Sequence, residues 1–244
     1  MNLVLDIGNT VAKCFIFDGD EPVASMHSEG CTLEGLGRFV AGHRPERGIM
    51  SAVVDLPASA RRELALLPCK LQELTDRTPL PIRNCYRTPH TLGSDRLAAA
   101  LGAWKLLGGQ DVLVVDAGTC VTLDLLTADG RYLGGNIAPG VEMRLAAMHR
   151  HTSRLPLISP EGETPLLGCD TPTALRSGAW QGVAREIEGT AHRLGCDYPE
   201  LRVVLTGGDG ARLSELLTID ALFDEALAAR GLNEVVCTRD KVGG

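Results

Sequence analysis

One six-residue pattern occurs twice in this chain. Leu3-Val4-Leu5-Asp6-Ile7-Gly8 and Leu113-Val114-Val115-Asp116-Ala117-Gly118 match at Leu, Val, Asp and Gly, 110 positions apart in 244 residues. Each copy is a short apolar run of the kind that forms a buried strand, stopped by an acid and a glycine. A second strand follows each, at 11–17 and 121–126, and Val11 meets Val121 at the same offset. Asp18-Gly19-Asp20 and Asp129-Gly130 then supply turn chemistry, leading to third strands at 23–27 and 131–137. Two meanders, each continued by helices, predict an α/β fold of two tandem lobes, 1–107 and 108–244. Each lobe is a mixed sheet with helices, and a cleft lies between them.

The rest of the chain fills in this plan. In the second strand Val11, Lys13, Phe15 and Phe17 share one face, and Ala12, Cys14 and Ile16 the other. Helices are expected at 33–42 (capped by Thr32), 59–67, 94–107 and 141–149, and further ones from 211 and 220. A long helix begins at Thr171, with Thr171 as N-cap and Pro172 in its first turn. Further strands are expected at 49–54, at 201–205 and near Val235.

Composition removes whole classes of function. With 24 basic against 31 acidic residues, the net charge of −7 offers no basic face for nucleic acid or for an anionic membrane surface. No apolar stretch approaches the roughly 20 residues that span a bilayer. The eight cysteines form no C-x-x-C pair, and several sit in apolar runs as small hydrophobes. That pattern suits a reducing compartment, and a cytoplasmic protein is expected. The six histidines show no metal-ligand spacing. Neither G-x-x-x-x-G-K-[ST] nor G-x-G-x-x-G is present, nor a nucleophile elbow. An acidic chain that handled phosphate would need backbone donors, metal ions or a few placed cations.

The repeated turns provide such groups. An Asp at a strand end can be a simple capping residue, worth about 1 kcal/mol. Two acids ending two buried strands need compensation, and a metal–phosphate ligand supplies it. Gly8 and Gly118 let backbone N–H groups approach phosphate oxygens, and Asn9, Thr10 and Thr119 add side-chain donors. Lys13 can reach back to a phosphate or snorkel from a strand edge. Thr206-Gly207-Gly208 after a strand lets a nucleoside lie against backbone or forms an ordinary loop. Gly93-Ser94-Asp95-Arg96 opens a helix. Asp95 suits the helix dipole there, whereas Arg96 is a cation at the positive end, placed to bind an anion or organise Asp95. Asp95 could orient an attacking hydroxyl and take its proton.

Asp6-Ile7-Gly8-Asn9-Thr10 with Lys13 resembles the first phosphate motif of the type III pantothenate kinases. Gly93-Ser94-Asp95-Arg96, Asp116-Ala117-Gly118-Thr119, Gly134-Gly135-Asn136-Ile137-Ala138-Pro139-Gly140 and Thr206-Gly207-Gly208 resemble that family too, in order and spacing. The resemblance implies the duplicated, ribonuclease-H-like ATPase fold of actin, hexokinase and Hsp70. It implies transfer of the ATP γ-phosphoryl group to the hydroxyl of pantothenate, the opening step of coenzyme A synthesis. Asp6, Ile7, Gly8, Asn9, Thr10, Val11, Ala12 and Lys13 would hold ATP, with Asp6 near Mg²⁺ through the phosphates and Thr119 also on the nucleotide. Asp116 would bind K⁺ or NH₄⁺. Tyr86, Gly93, Ser94, Asp95, Arg96 and Thr171 would contact pantothenate, with Asp95 as proton acceptor, in a homodimer. The segment Thr88-Pro89-His90-Thr91-Leu92 departs from the family's usual run, and Cys120 stands where alanine is usual. Two alternatives stand beside this reading: a kinase for another small hydroxy acid, and a non-catalytic ATP-binding accessory protein.

Overall fold

The computed structural model describes residues 1–29 and 31–242, with side chains as far as Thr238. Its two compact units do not follow chain order. One holds Met1–Gly109, Asp129–Leu133 and the segment from Ala226 onward; the other holds Gln110–Ala128 and Gly134–Glu225.

In the first unit come β1 (Asn2–Ile7), β2 (Val11–Asp18), β3 (Glu21–Glu29), α1 (Leu36–His43), β4 (Arg47–Ala52), α2 (Ala58–Ala65), β5 (Lys70–Glu73), β6 (Arg83–Asn84) and α3 (Ser94–Leu107). The sheet runs β3-β2-β1-β4-β5. The meander β1-β2-β3 is antiparallel, while β1, β4 and β5 are parallel, so the sheet is mixed. Strand alternation gives it two apolar faces. Leu3, Leu5, Ala12, Cys14 and Ile16 pack with Leu36, Val40 and Ala60 of α1 and α2. Val4, Phe15 and Phe17 are buried on the opposite face, as the sequence predicts for β2.

That second face is covered by α3 and by α7 (Leu227–Val242), and these two helices pack on each other. Gly102 and Gly231 allow their backbones to touch. A Cβ on Gly102 would collide with the Leu227 carbonyl, and one on Gly231 with the Ala98 carbonyl. The strand expected near Val235 is therefore a helix. Leu227, Leu232, Val235 and Val236 are all buried, and helical packing overrides the β preference of the paired valines.

In the second unit come β7 (Val112–Ala117), β8 (Cys120–Leu126), β9 (Arg131–Pro139), α4 (Val141–Arg150), α5 (Thr171–Gly195), β10 (Arg202–Thr206), α6 (Gly210–Leu216) and β11 (Leu222–Phe223). Its sheet has the order β11-β10-β7-β8-β9-β6, the last pairing being made by the first residues of β9, which group with β6 in the first unit. Leu113, Val115 and Ala117 pack against Leu145 of α4, Trp180, Val183 and Ile187 of α5, and Leu213 of α6.

The duplication is visible in the strand pairing. β1 pairs antiparallel with β2 and parallel with β4; β7 pairs antiparallel with β8 and parallel with β10. The two turns differ by one residue. Ile7 faces Ala12, whereas Ala117 faces Val121, so Val121 takes the place of Ala12 and not of Val11.

Three local expectations shift. α1 starts at Leu36, because Cys31 and Leu33 have positive φ (56° and 58°) and cannot begin it. The helix expected from 220 is replaced by the short strand β11. The N-cap of α5 is Asp170: its carboxylate accepts from the Thr173 N–H at 2.8 Å, leaving Thr171 as the first helical residue. These bonds from Thr173, side chain and backbone, hold the Asp170 carboxyl below its ordinary value. Among the described residues no helix is long and apolar enough to cross a membrane.

Candidate active site

β1 carries Asp6 one residue before its end, and the pairing on both sides sets its neighbours. Lys13 of β2 lies opposite Asp6, and Ser51 of β4 lies beside it. Residues at matched positions of adjacent strands point to the same face, so Lys13, Asp6 and Ser51 form a row across three strands. Ile7 and Ala12 point the other way, into the core against α1 and α2. Of these two residues, only the backbone can reach a ligand on the Asp6 face.

The turn beyond Asp6 is tight. The Gly8 N–H donates to the Val11 carbonyl at 3.1 Å, which leaves Asn9 and Thr10 exposed at the tip. The Cys31 thiol donates to the Gly8 carbonyl at 2.8 Å from beneath. On the opposite face, Cys14 has its thiol pushed up to about 12, by burial first and then by the Asp6 charge.

The N-terminus of α3 is joined to the same row. Ser51, 0% exposed, donates its hydroxyl hydrogen to Ser94 Oγ at 2.8 Å. Asp95 Oδ1 accepts from the Arg96 backbone N–H at 2.8 Å, and it occupies the space a Cβ at Gly93 would need. The helix dipole favours a carboxylate there. Arg96 is only 5% exposed, with Cζ 5.7 Å from the centre of the Tyr86 ring. The Tyr86 ring in turn lies 6.4 Å from that of Tyr132. A cavity of about 380 Å³ reaches Gly93 and Ser94, walled by Ala52, Val53, Thr75 and His90. That volume is in the range of small-molecule sites, roughly 300–1,000 Å³. Among the described residues Tyr86, Asp95 and Arg96 are not in its wall.

The second unit repeats the design with different side chains. Asp116 of β7 stands between Thr122 of β8 and Thr206 of β10, where the first unit has Lys13, Asp6 and Ser51. The Gly118 N–H donates to the Cys120 carbonyl at 2.9 Å, and Thr119 is exposed at the tip. Its carbonyl accepts from the Gly140 N–H at 3.1 Å, which brings the Asn136-Ile137-Ala138-Pro139-Gly140 run against the turn. Gly207, at φ +90°, packs so closely that a Cβ would strike the Ala117 carbonyl and Asp116 Oδ1. Thr171 lies exposed at the start of α5.

Two residues escaped the sequence reading. Ser51 is a polar residue inside an apolar strand, and only strand register places it beside Asp6. Asp209 follows Gly208 directly, and its N–H donates to the Ala117 carbonyl at 2.9 Å. Burial, and then the nearby Glu142 charge, raise the Asp209 carboxyl above its ordinary value. Among the described residues no group of three or more His, Cys, Asp or Glu side chains could hold a metal ion. The donors present fit a divalent ion carried in by phosphates and met by one carboxylate, the usual way Mg²⁺ is bound.

The family model of type III pantothenate kinase matches residues 2–193. The chain belongs to that family. A relative named type III pantothenate kinase, from Phocaeicola vulgatus, is 44% identical over 99% of this chain and 100% of its own length. Among solved structures, a conserved Campylobacter jejuni protein assigned to the Baf family of transcriptional activators superposes with a TM-score of 0.65 at 22% identity. The match covers 98% of this chain and 99% of that one. A Sinorhizobium meliloti protein assigned as a 2-dehydro-3-deoxygalactonokinase gives 0.60 at 16% identity over 98% and 99%. These two likenesses concern the fold alone, the mixed two-sheet α/β fold expected from the repeat.

Proposed function

We propose that this chain phosphorylates pantothenate with ATP, giving 4′-phosphopantothenate. The observation that carries the reading is the Ser51–Ser94 bond. It ties the helix end bearing Asp95 to the strand row bearing Asp6, which supports reading Asp95 as a hydroxyl-orienting carboxylate and the Asp6 turn as its phosphate site. A non-catalytic ATP-binding protein needs the turn and has no use for Asp95. Family membership supports pantothenate over another hydroxy acid as the acceptor.

In this reading, Asp6, Ile7, Gly8, Asn9, Thr10, Val11, Ala12 and Lys13 hold the ATP phosphates, Ile7 and Ala12 through their backbone alone, with Thr119 also on the nucleotide. Asp6 meets the divalent ion, which neutralises charge on the phosphates when bound. Asp116 takes K⁺ or NH₄⁺. Tyr86, Gly93, Ser94, Arg96 and Thr171 hold pantothenate. Asp95 accepts the proton of the attacking hydroxyl as its oxygen bonds to the γ-phosphorus and the bond to the β,γ-bridging oxygen breaks, releasing ADP. The Arg96 guanidinium, 5.7 Å from the centre of the Tyr86 ring, is the cation this reading assigns to an acidic acceptor. We place the reaction in the cytoplasm, where ATP is abundant and the free cysteines stay reduced. A homodimer would cover the exposed Leu166 and Leu167, which are 69% and 85% accessible just before α5.

A coupled ADP-release assay with purified protein, ATP and Mg²⁺ tests the reading. Pantothenate-dependent ADP release in K⁺ or NH₄⁺, and a much lower rate in Na⁺, is the expected result. Nucleotide binding without pantothenate-dependent turnover would instead favour the accessory role. Light scattering at micromolar concentration reads the dimer.

A further inference from the structure

We infer that Ser51 is a positioning residue, aligning the start of α3 with the Asp6 row through its bond to Ser94; the inference rests on the kinase reading above. Three observations converge on it. Ser51 is the parallel-strand neighbour of Asp6 and therefore moves with it. Its side chain is fully buried, so no solvent competes for the hydroxyl. Its one hydroxyl hydrogen is donated to Ser94, the first residue of α3, at 2.8 Å. Asp95 is the next residue, and its carboxylate already turns back on the helix end through the Arg96 N–H. The angle at which α3 leaves the sheet thus sets the distance from Asp95 to the phosphate turn. Main-chain pairing cannot set that angle, because α3 is not part of the sheet. A buried hydroxyl pair is a directional link where an apolar contact would allow sliding. In the second unit Thr206 takes the place of Ser51 beside Asp116, and the backbone of Gly207 fills the adjacent space. The serine link is thus special to the unit that carries Asp95.

The experiment compares wild type, Ser51→Ala, Ser94→Ala and the double variant. In turnover, Ser51→Ala is expected to lower kcat/KM for pantothenate by about two- to tenfold, the loss of one hydrogen bond of alignment, with KM for ATP changed less than twofold. The double variant should equal the worse single variant, since both break one bond. Amide exchange gives a readout that does not depend on turnover. The Leu97 and Ala98 amides, in the first hydrogen-bonded turn of α3, should exchange at least about fivefold faster in both single variants, while the amides of β1 are unchanged. Effects that multiply in the double variant, or unchanged exchange at Leu97 and Ala98, overturn the inference. Absence of pantothenate turnover in wild type would remove the kinase reading but leave the exchange result to decide the linkage.

Discussion

Gly207→Ala isolates one side chain's worth of space beside Asp116. The residue sits at φ +90°, where an L side chain costs about 1–2 kcal/mol. Its new methyl would also press on the Ala117 carbonyl and Asp116 Oδ1, adding overpacking of about 1–3 kcal/mol. Reduced freedom of the unfolded chain offsets about 0.4–1 kcal/mol. A net loss of about 1–5 kcal/mol remains, which for a chain of this size lowers Tm by roughly 2–18 °C. Gly208→Ala is the matched control, because nothing lies within 4 Å of its added methyl. It should stay within about 0.5 kcal/mol of wild type. Thermal melts of the two variants read the difference, and K⁺ titration of turnover reads displacement of the Asp116 carboxylate as a raised half-activating concentration. Equal melting temperatures for the two variants would refute the packing argument. A Gly207→Ala enzyme that is destabilised but has unchanged K⁺ dependence would separate Asp116 from the cation.

Asp95→Asn should lower kcat by roughly 10²–10⁴-fold while calorimetry still detects ATP binding; unchanged turnover would remove Asp95 from proton transfer. Asp209→Asn should raise Tm at neutral pH. The raised Asp209 carboxyl favours its protonated form in the fold, so its penalty grows as pH climbs from the acid range through that value and persists at neutral pH. Melts of the variant should therefore lose part of the wild type's decline across that window. Alkylation at pH 8 should modify exposed Cys120, Cys169 and Cys196 in the native protein and spare Cys14, which is buried and whose thiol is pushed up to about 12. Mass spectrometry locates the adducts.

The repeat was readable because buried strands ending in acid and glycine are written in consecutive residues. Asp6 and Gly8 recur as Asp116 and Gly118 at one fixed offset, and the face alternation of β2 follows from its period of two. Long-range facts were not readable. The one-residue shortening of the second turn appears only when strand pairing is known, since the letters align well at Val121 in either register. Val235 and Val236 favour a strand by propensity, and the burial of this segment against α3, with the close approach at Gly102 and Gly231, makes it a helix. Asp170 and Thr171 are both good N-caps by type, and only the bond from the Thr173 N–H distinguishes Asp170. Ser51 carries no motif, and its importance lies in a neighbour 43 residues away.

The return of α7 to the first unit has a consequence for synthesis. Asn2 of β1 donates to Asn233 of α7 at 2.9 Å, so opposite regions of the chain complete one body. A ribosome that has released residues 1–107 has exposed the face of Val4, Phe15 and Phe17 with only α3, one of the two helices that cover it. Until the segment from Ala226 emerges, that apolar surface is open to chaperones or to a wrong neighbour. A fragment cut after Leu107 should bind hydrophobic dyes and aggregate, and added α7 peptide should suppress both.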